Sequence, residues 1–382
     1  MKHILLIAGE TSADLYGSFL ISALKEQSKE KLYISGLGGK RMASAGMHIL
    51  HDFTQEAGTG LDPLKRFSHF ARIFRQIINY AKTKKPDAAV LIDLPDFNIR
   101  LAKYLKQLHI PVVYYISPQV WAWRKGRIKT ISKVVDRMLV IFDFEKPLYE
   151  KHNIPVIFVG HPLLDVIKNP EHSKMEARKK LGIKPDALVI GFLPGSRRTE
   201  FTRHFPIMLK AADLISRKKH DARFALACAP QINKELAGKY LNKASVKIDS
   251  YFNQTYDVML ASDLMITASG TATVEAAIFT TPIIVIYKVS FITASILGPL
   301  IKTPYYAMVN IIAGKKIVPE LMQSKATPEN ISNEAIRFLE GDNLKNTAAE
   351  LRKIREKLGT PGASQRAATE ILKTINYRNY KP

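Results

Sequence analysis

Short, wholly apolar runs recur along this chain, and between them lie longer stretches in which apolar residues return every three or four positions. A continuous apolar run of five or six residues reads as a buried strand and the longer period as a helix, so the pattern predicts repeated β/α units. In the first half, strands are expected at Ile4–Ala8, Leu32–Gly36, Ala88–Ile92, Val112–Ile116, Arg137–Ile141 and Val156–Val159, with helices over Ala13–Lys25, Lys65–Thr83 and Ile99–Leu108. The second half repeats the design, with strands at Leu188–Leu193, Arg223–Ala227, Leu264–Thr267 and Ile283–Ile286. Its helices are expected over Lys174–Leu181, from near Thr202, over Thr271–Phe279, after the Thr327-Pro328-Glu329 cap, and over Leu344–Lys357 and Ala363–Ile375. Such alternation predicts an α/β fold with doubly wound parallel sheets. At 382 residues the chain is too long for one small core, and the natural boundary falls near residues 165–185.

Two strand ends carry small, flexible residues before a helix. Ala268-Ser269-Gly270-Thr271 links a strand to a helix, a corner where free backbone N–H groups and the helix dipole favour phosphate. Glu275 follows one helical turn later and is placed to accept hydrogen bonds from ribose hydroxyls. The plain alternative is an ordinary strand–helix corner with an exposed glutamate. Pro194-Gly195-Ser196-Arg197 ends a second strand, with a glycine for close approach and a guanidinium for two-pronged phosphate contact. Two such corners in one domain predict a nucleotide diphosphate between them.

Charge narrows the partners. The net charge is +23, which calls for an acidic partner. From Lys65 to Lys85 the charged residues are Lys65, Arg66, Arg72, Arg75, Lys82, Lys84 and Lys85, with no acid among them. They interleave with Phe67, Phe70, Phe74, Ile77 and Ala81 at helical spacing, the pattern of a basic amphipathic helix suited to an anionic membrane surface. The plain alternative is a stripe that packs on its own domain while the charges are solvated. Nucleic acid is disfavoured, because no RNA- or DNA-reader motif is present. The lone cysteine, Cys228, fits a reducing cytosol. The first strand is too short for a signal peptide's apolar core. Pro282–Ile301, the longest apolar region, is interrupted by Lys288, Gly298 and Pro299 and reads as buried or interfacial rather than membrane-spanning.

Ligands of open parallel sheets sit beyond the carboxyl ends of the strands. Three segments of the first half fall there: Gly9-Glu10-Thr11-Ser12-Ala13-Asp14, Asp93-Leu94-Pro95-Asp96-Phe97-Asn98 and Ser117-Pro118-Gln119-Val120-Trp121-Ala122-Trp123-Arg124. Each has a structural reading on its own, Asp96 as a helix cap and the tryptophans as core. Their convergence on one rim favours a substrate site.

Together with Val159-Gly160-His161-Pro162, Val309-Asn310-Ile311-Ile312-Ala313-Gly314 and Val318-Pro319-Glu320-Leu321, these segments resemble the lipid-A-disaccharide synthases, in order and over essentially the whole chain. The resemblance implies two Rossmann-like domains facing across a cleft, the GT-B type of glycosyltransferase. Residues 1–170 would form the acceptor- and membrane-facing domain, 171–345 the UDP-sugar domain, and 346–382 helices returning to the first domain or to a partner chain. It implies inverting transfer of 2,3-diacylglucosamine from UDP to 2,3-diacylglucosamine 1-phosphate, giving the β-1,6-linked disaccharide 1-phosphate and UDP. The expected setting is cytoplasmic, peripheral to the inner membrane of Gram-negative bacteria, with a homodimer open. Inversion needs a base for the acceptor 6-hydroxyl and stabilisation of departing UDP.

Asp93 is the expected base, with Asp96 positioning its loop and Glu10 the further candidate. Arg197, Ser196, Gly195, Ser269, Gly270, Thr271 and Asn310 are expected at the diphosphate and Glu275 at the ribose, with Ser12, Asp14, Trp123 and Arg124 lining the acceptor side. No cofactor or metal is expected, since Asp143-Phe144-Glu145 has no companion ligands. Two departures from the family pattern stand out, Ala13 where glycine is usual and Asp62-Pro63 where a Gly-x-x-Glu-Val pattern is usual. A UDP-sugar epimerase, or a transferase of this fold acting on a soluble acceptor, is the competing reading.

Overall fold

A computed structural model describes residues 1–52, 63–122, 125–167, 173–290 and 303–377. The chain divides into two compact units, residues 1–167 with 358–382 and residues 168–357.

In the first unit the strands are β1 (Lys2–Ala8), β2 (Leu32–Gly38), β3 (His48–Asp52), β4 (Ala88–Ile92), β5 (Val112–Tyr115), β6 (Arg137–Val140) and β7 (Val156–Phe158). They form one parallel sheet in the order β3-β2-β1-β4-β5-β6-β7. The central strands are buried on both faces: Ile4–Ala8 and Ala88–Ile92 are fully enclosed. One face is covered by helices Pro63–Lys84 and Pro95–Gln107, whose Ile73, Ile77, Ala81, Leu101 and Leu105 pack on Leu5, Ile7, Leu91 and Tyr114. Helix Ala363–Tyr377 runs along helix Thr11–Gln27 and packs on β4 and β5. Its start is tied to the unit by Asp165, which accepts from the N–H groups of Gly362 (2.6 Å) and Ser364 (2.7 Å).

The second unit contains β8 (Val189–Leu193), β9 (Arg223–Cys228), β10 (Ile248–Phe252), β11 (Leu264–Ala268), β12 (Ile283–Tyr287) and β13 (Glu320–Met322), all parallel, in the order β10-β9-β8-β11-β12-β13. Helix Asn343–Lys357 stays with this unit, against helices Ala272–Phe279 and Met308–Ala313, because its Leu351 and Ile354 are buried there. The second unit thus takes in residues up to 357, beyond the expected edge at 345, and one helix of the two at the carboxyl end joins the first unit.

β3, β10 and β13 were not anticipated from the apolar pattern, and all three are edge strands. An edge strand is buried less completely, so its sequence carries the polar residues seen in His48–Asp52 and Ile248–Phe252 and lacks a continuous apolar run.

The basic helix Pro63–Lys84 uses its apolar stripe inside its own unit. Ile73, Ile77 and Ala81 are buried in the core and Phe70, Phe74 and Ile78 pack against it, while Arg72, Arg75, Lys82 and Lys84 are exposed. The stripe from Phe70 to Ala81 is therefore not free to enter a bilayer, which corrects that part of the expected membrane contact; Phe67 and the Asp62 departure lie outside what is described. Among the described residues no helix is long and apolar enough to cross a membrane. The apolar region from Pro282 begins as β12, and residues 291–302 lie outside the described residues.

Candidate active site

Each sheet has a switch point where successive connections leave in opposite directions, and a crevice opens there beyond the strand ends. In the first unit it lies between β1 and β4, which pair directly, Ala8 beside Ile92. Gly9-Glu10 therefore leaves the sheet beside Asp93-Leu94. The two turns touch: a Cβ on Gly9 would lie 2.5 Å from Leu94 Cδ2, so any larger residue there would have to displace the Leu94 side chain.

The corner after β4 is strained. Asp93 and Leu94 are both left-handed, with φ of 49° and 46°, immediately before Pro95 opens the helix that follows. Aspartate tolerates this conformation, but for leucine it costs about 1–2 kcal/mol. The turn is held by its own carbonyl, since Asp93 O accepts from Asn98 Nδ2 (2.8 Å) and from the Tyr114 hydroxyl (2.5 Å). Strain kept by surrounding structure marks functional corners. Burial, and then the negative charge of Glu10, push the Asp93 carboxyl up to about 6 from its ordinary 3.8. Such a carboxylate is ionised at neutral pH yet a much better proton acceptor than a solvated one.

The other candidates of this unit divide. Ser12 is half-buried in the first turn of helix Thr11–Gln27. Asp14 is buried, and its oxygens accept from the backbone N–H groups of Gly39 (2.7 Å), Met42 (3.1 Å) and Arg41 (3.2 Å). It anchors the start of helix Lys40–Ser44, which corrects its expected place at the substrate. Asp96 is exposed and paired with Arg127. Trp123 and Arg124 lie outside the described residues. Ser117 and Trp121 both point to a residue that the linear pattern did not bring out as part of this rim, the buried Glu145.

In the second unit the switch point lies between β8 and β11. Gly195 follows β8 with φ 121°, and a Cβ there would meet Glu200 at 2.6 Å. The helix after it is Arg198–Ser216, starting earlier than the expected Thr202, so Ser196 and Arg197 stand at its N-terminus. Both are exposed, and Arg197 Nη1 lies 3.2 Å from Glu200 Oε1. Opposite, Ser269, Gly270 and Thr271 lead into helix Ala272–Phe279, with Gly270 and Thr271 exposed. Glu275 is half-buried, accepts from the Tyr256 hydroxyl (3.2 Å), and is pushed by burial up to about 7.

Asn310 has another task than the expected one. It is fully buried, its Nδ2 donates to Val318 O (3.0 Å) and Glu320 Oε1 (2.9 Å), and its Oδ1 accepts from Ile317 N (2.8 Å) and Val318 N (3.0 Å). All four valences of the amide are spent on Ile317, Val318 and Glu320, so it holds the entry into β13 and has nothing left for a diphosphate. His204, which linear pattern reasoning passed over, is fully buried and braces two strand ends. Its Nδ1 donates to Pro194 O (2.8 Å) and its Nε2 accepts from Lys288 N (3.0 Å), a pairing that suits the neutral ring; burial lowers its pKa. Among the described residues no three His, Cys, Asp or Glu side chains cluster to hold a metal ion.

The family model described as lipid-A-disaccharide synthetase matches residues 4–374. A lipid-A-disaccharide synthase of Syntrophus aciditrophicus is 41% identical over 378 residues, 98% of this chain and 98% of that one. One from Geobacter metallireducens is 39% identical, over 98% of this chain and 97% of its own. The chain belongs to the lipid-A-disaccharide synthase family. Solved structures similar to it show the fold alone. S. aureus MnaA with UDP superposes with a TM-score of 0.69 at 14% identity, covering 100% of this chain and 99% of that one. Acinetobacter baumannii MurG gives 0.57 at 15%, over 98% and 100%. A Neisseria meningitidis UDP-GlcNAc 2-epimerase gives 0.66 at 13%, over 98% and 100%. This is a fold that family members share with epimerases, so what separates the two readings is the sequence at the strand ends and not the architecture.

Proposed function

We propose that the chain transfers 2,3-diacylglucosamine from UDP to the 6-hydroxyl of 2,3-diacylglucosamine 1-phosphate, releasing UDP. The observation that carries the mechanism is the Asp93 corner, a strained and half-buried carboxylate raised to about 6 at the switch point of the first sheet. Asp93 takes the hydroxyl proton as the sugar's anomeric carbon is attacked. Glu10 keeps its affinity for that proton high, and Asp96, paired with Arg127, steadies the helix that follows.

As UDP departs, its β-phosphate gains a further negative charge that must be stabilised. Arg197 and the backbone N–H groups at the starts of helices Arg198–Ser216 and Ala272–Phe279 suit that task. The exposed Arg197–Glu200 contact is worth at most about 1 kcal/mol, so a diphosphate, which guanidinium grips in two places, displaces it readily. Gly195 gives the room for close approach, Ser196, Ser269 and Thr271 supply hydroxyls, and Glu275 receives the ribose. The chemistry is read as independent of a metal ion.

Contact with an anionic membrane face is the proposed source of both lipid substrates. With the Phe70–Ala81 stripe spent on the core, charge supports this reading: Arg72 and Arg75 are exposed on one helix, and Lys103, Lys106, Lys129 and Lys133 line a groove between helices Pro95–Gln107 and Ile128–Val134.

Turnover of the UDP-linked and 1-phosphate diacyl sugars in detergent micelles with EDTA tests the proposal, comparing wild type with Asp93→Ala and Arg197→Ala. Disaccharide formed by wild type and lost in both variants is the expected result. No product from wild type, even with magnesium restored, would overturn it.

A further inference from the structure

Three consecutive strands, β4, β5 and β6, end at one rim of the first sheet, and the proposed mechanism uses only the residues after β4. Beyond β5 the chain makes a second strained corner. Ile116 has φ 63°, a left-handed conformation that a β-branched residue adopts only under constraint. Three contacts hold the chain there. Ile116 N donates to Leu139 O (3.0 Å), the Ser117 hydroxyl donates to Glu145 Oε1 (2.5 Å), and the Tyr149 hydroxyl donates to Pro118 O (3.3 Å).

Glu145 is the centre of this arrangement. It is 2% exposed and collects three donors: Ser117 Oγ and Trp121 Nε1 (3.1 Å) on one oxygen, and Phe142 N (3.4 Å) on the other. Trp121 is also set edge-on against Phe144 (5.3 Å between centroids), Phe144 stacks on Phe142 (5.6 Å), and Phe142 meets the buried His161 (5.3 Å). Among the described residues no cation pairs with this buried carboxylate, and such a group costs stability, so its presence calls for a reason other than packing.

We propose that Glu145 is a positioning residue: through Ser117 and Trp121 it locks the strained loop after β5 in the shape that receives substrate beside Asp93. The proposal rests on the reading of this rim as the acceptor side.

The three donors favour the carboxylate, whereas burial favours the neutral acid and pushes the group up to about 7. A protonated Glu145 carries a donor on an oxygen that now only accepts, and Trp121 Nε1 and Phe142 N cannot accept it, so the network around Trp121 must rearrange as the pH falls through neutrality. Among the described residues, the titratable groups around it do not compete. Tyr149 is raised by burial and His161 is lowered by burial to about 3, so both are uncharged; Asp143 is exposed, and Lys146 is paired with Glu150.

Trp121 gives a readout apart from catalysis, since Trp123 is the only other tryptophan. In a Trp123→Phe background, Trp121 emission and near-ultraviolet dichroism are followed as pH crosses neutrality. A transition is expected, and adding Glu145→Gln should abolish it; a transition that survives Glu145→Gln overturns the proposal. In the otherwise wild-type protein, Glu145→Gln should lower kcat/KM for the acceptor by about 10–100-fold, chiefly through KM, with Glu145→Asp recovering part of the loss. Unchanged kinetics, or a loss that only tracks the unfolded fraction, also overturns it. If wild type makes no disaccharide, the functional reading fails while the Trp121 titration still decides whether Glu145 grips the loop.

Discussion

Replacing Asp93 by asparagine should make the first unit more stable while removing its chemistry. The carboxyl is raised from 3.8 to about 6 by burial and by Glu10, so the folded state holds its proton more tightly than the unfolded chain does. For an acid raised on folding, stability is greatest below the unfolded pKa and falls as the pH rises through the folded one. Keeping this carboxylate ionised in the fold costs about 3 kcal/mol at pH 8 and about half of that at pH 5. Asparagine carries no charge to desolvate and tolerates the left-handed backbone. The Asn98 and Tyr114 bonds also survive, because they are made to the residue's carbonyl. Asp93→Asn should therefore gain stability over wild type, by an amount that grows by about 1.5 kcal/mol from pH 5 to pH 8. Urea unfolding followed by tryptophan emission measures this directly, since Trp121 and Trp123 both fall in the first unit. Loss of the base should cost about 10²–10⁴-fold in turnover. A stability difference that does not vary with pH, or an asparagine variant that keeps its activity, would refute the assignment.

Glu10→Gln removes the charge that helps to raise Asp93, so the acid limb of the pH–rate profile should move to lower pH, part of the way only because burial is the larger cause; an unmoved limb would separate the two residues. Gly195→Ala puts a side chain at φ 121° and within 2.6 Å of Glu200, so UDP affinity measured by calorimetry should fall at least about tenfold. Asn310→Ala removes four hydrogen bonds, the two to the Val318 backbone fully buried, and should destabilise the second unit by about 2–4 kcal/mol in a calorimetric melt, with UDP affinity below the melt unchanged. A variant of normal stability and weakened UDP binding would return Asn310 to the diphosphate.

What this sequence carries by itself is the alternation of buried strands and amphipathic helices, and the small residues that end the strands. A central parallel strand is covered on both faces and must be apolar throughout, as Ile4–Ala8 and Ala88–Ile92 are, so it is legible without a structure. The flexible or polar residues after it, Gly9-Glu10, Asp93, Gly195 and Gly270, are legible for the same reason, because a strand end beside a ligand cannot be filled with core. Edge strands that carry polar residues, such as His48–Asp52, are not, since half of their surface sets no demand for apolar residues, whereas the edge strand Val156–Phe158 keeps an apolar run.

Tertiary structure decided which polar residues have capacity to spare. Asp14, Asp93, Glu145 and Asn310 are all polar residues in the segments that connect the strands, and what separates them is their surroundings. Asp14 is engaged by the backbone N–H groups of Gly39, Arg41 and Met42, Asn310 by the backbone of Ile317 and Val318 and the carboxylate of Glu320, Glu145 is surrounded by donors, and Asp93 sits beside another carboxylate. The fate of the basic helix was settled in the same way: its apolar stripe fits either a membrane or a core, and the sheet beneath Ile73 and Ile77 made it core. A side chain's valences and desolvation are set by neighbours brought together in space, and the linear order of residues does not state them.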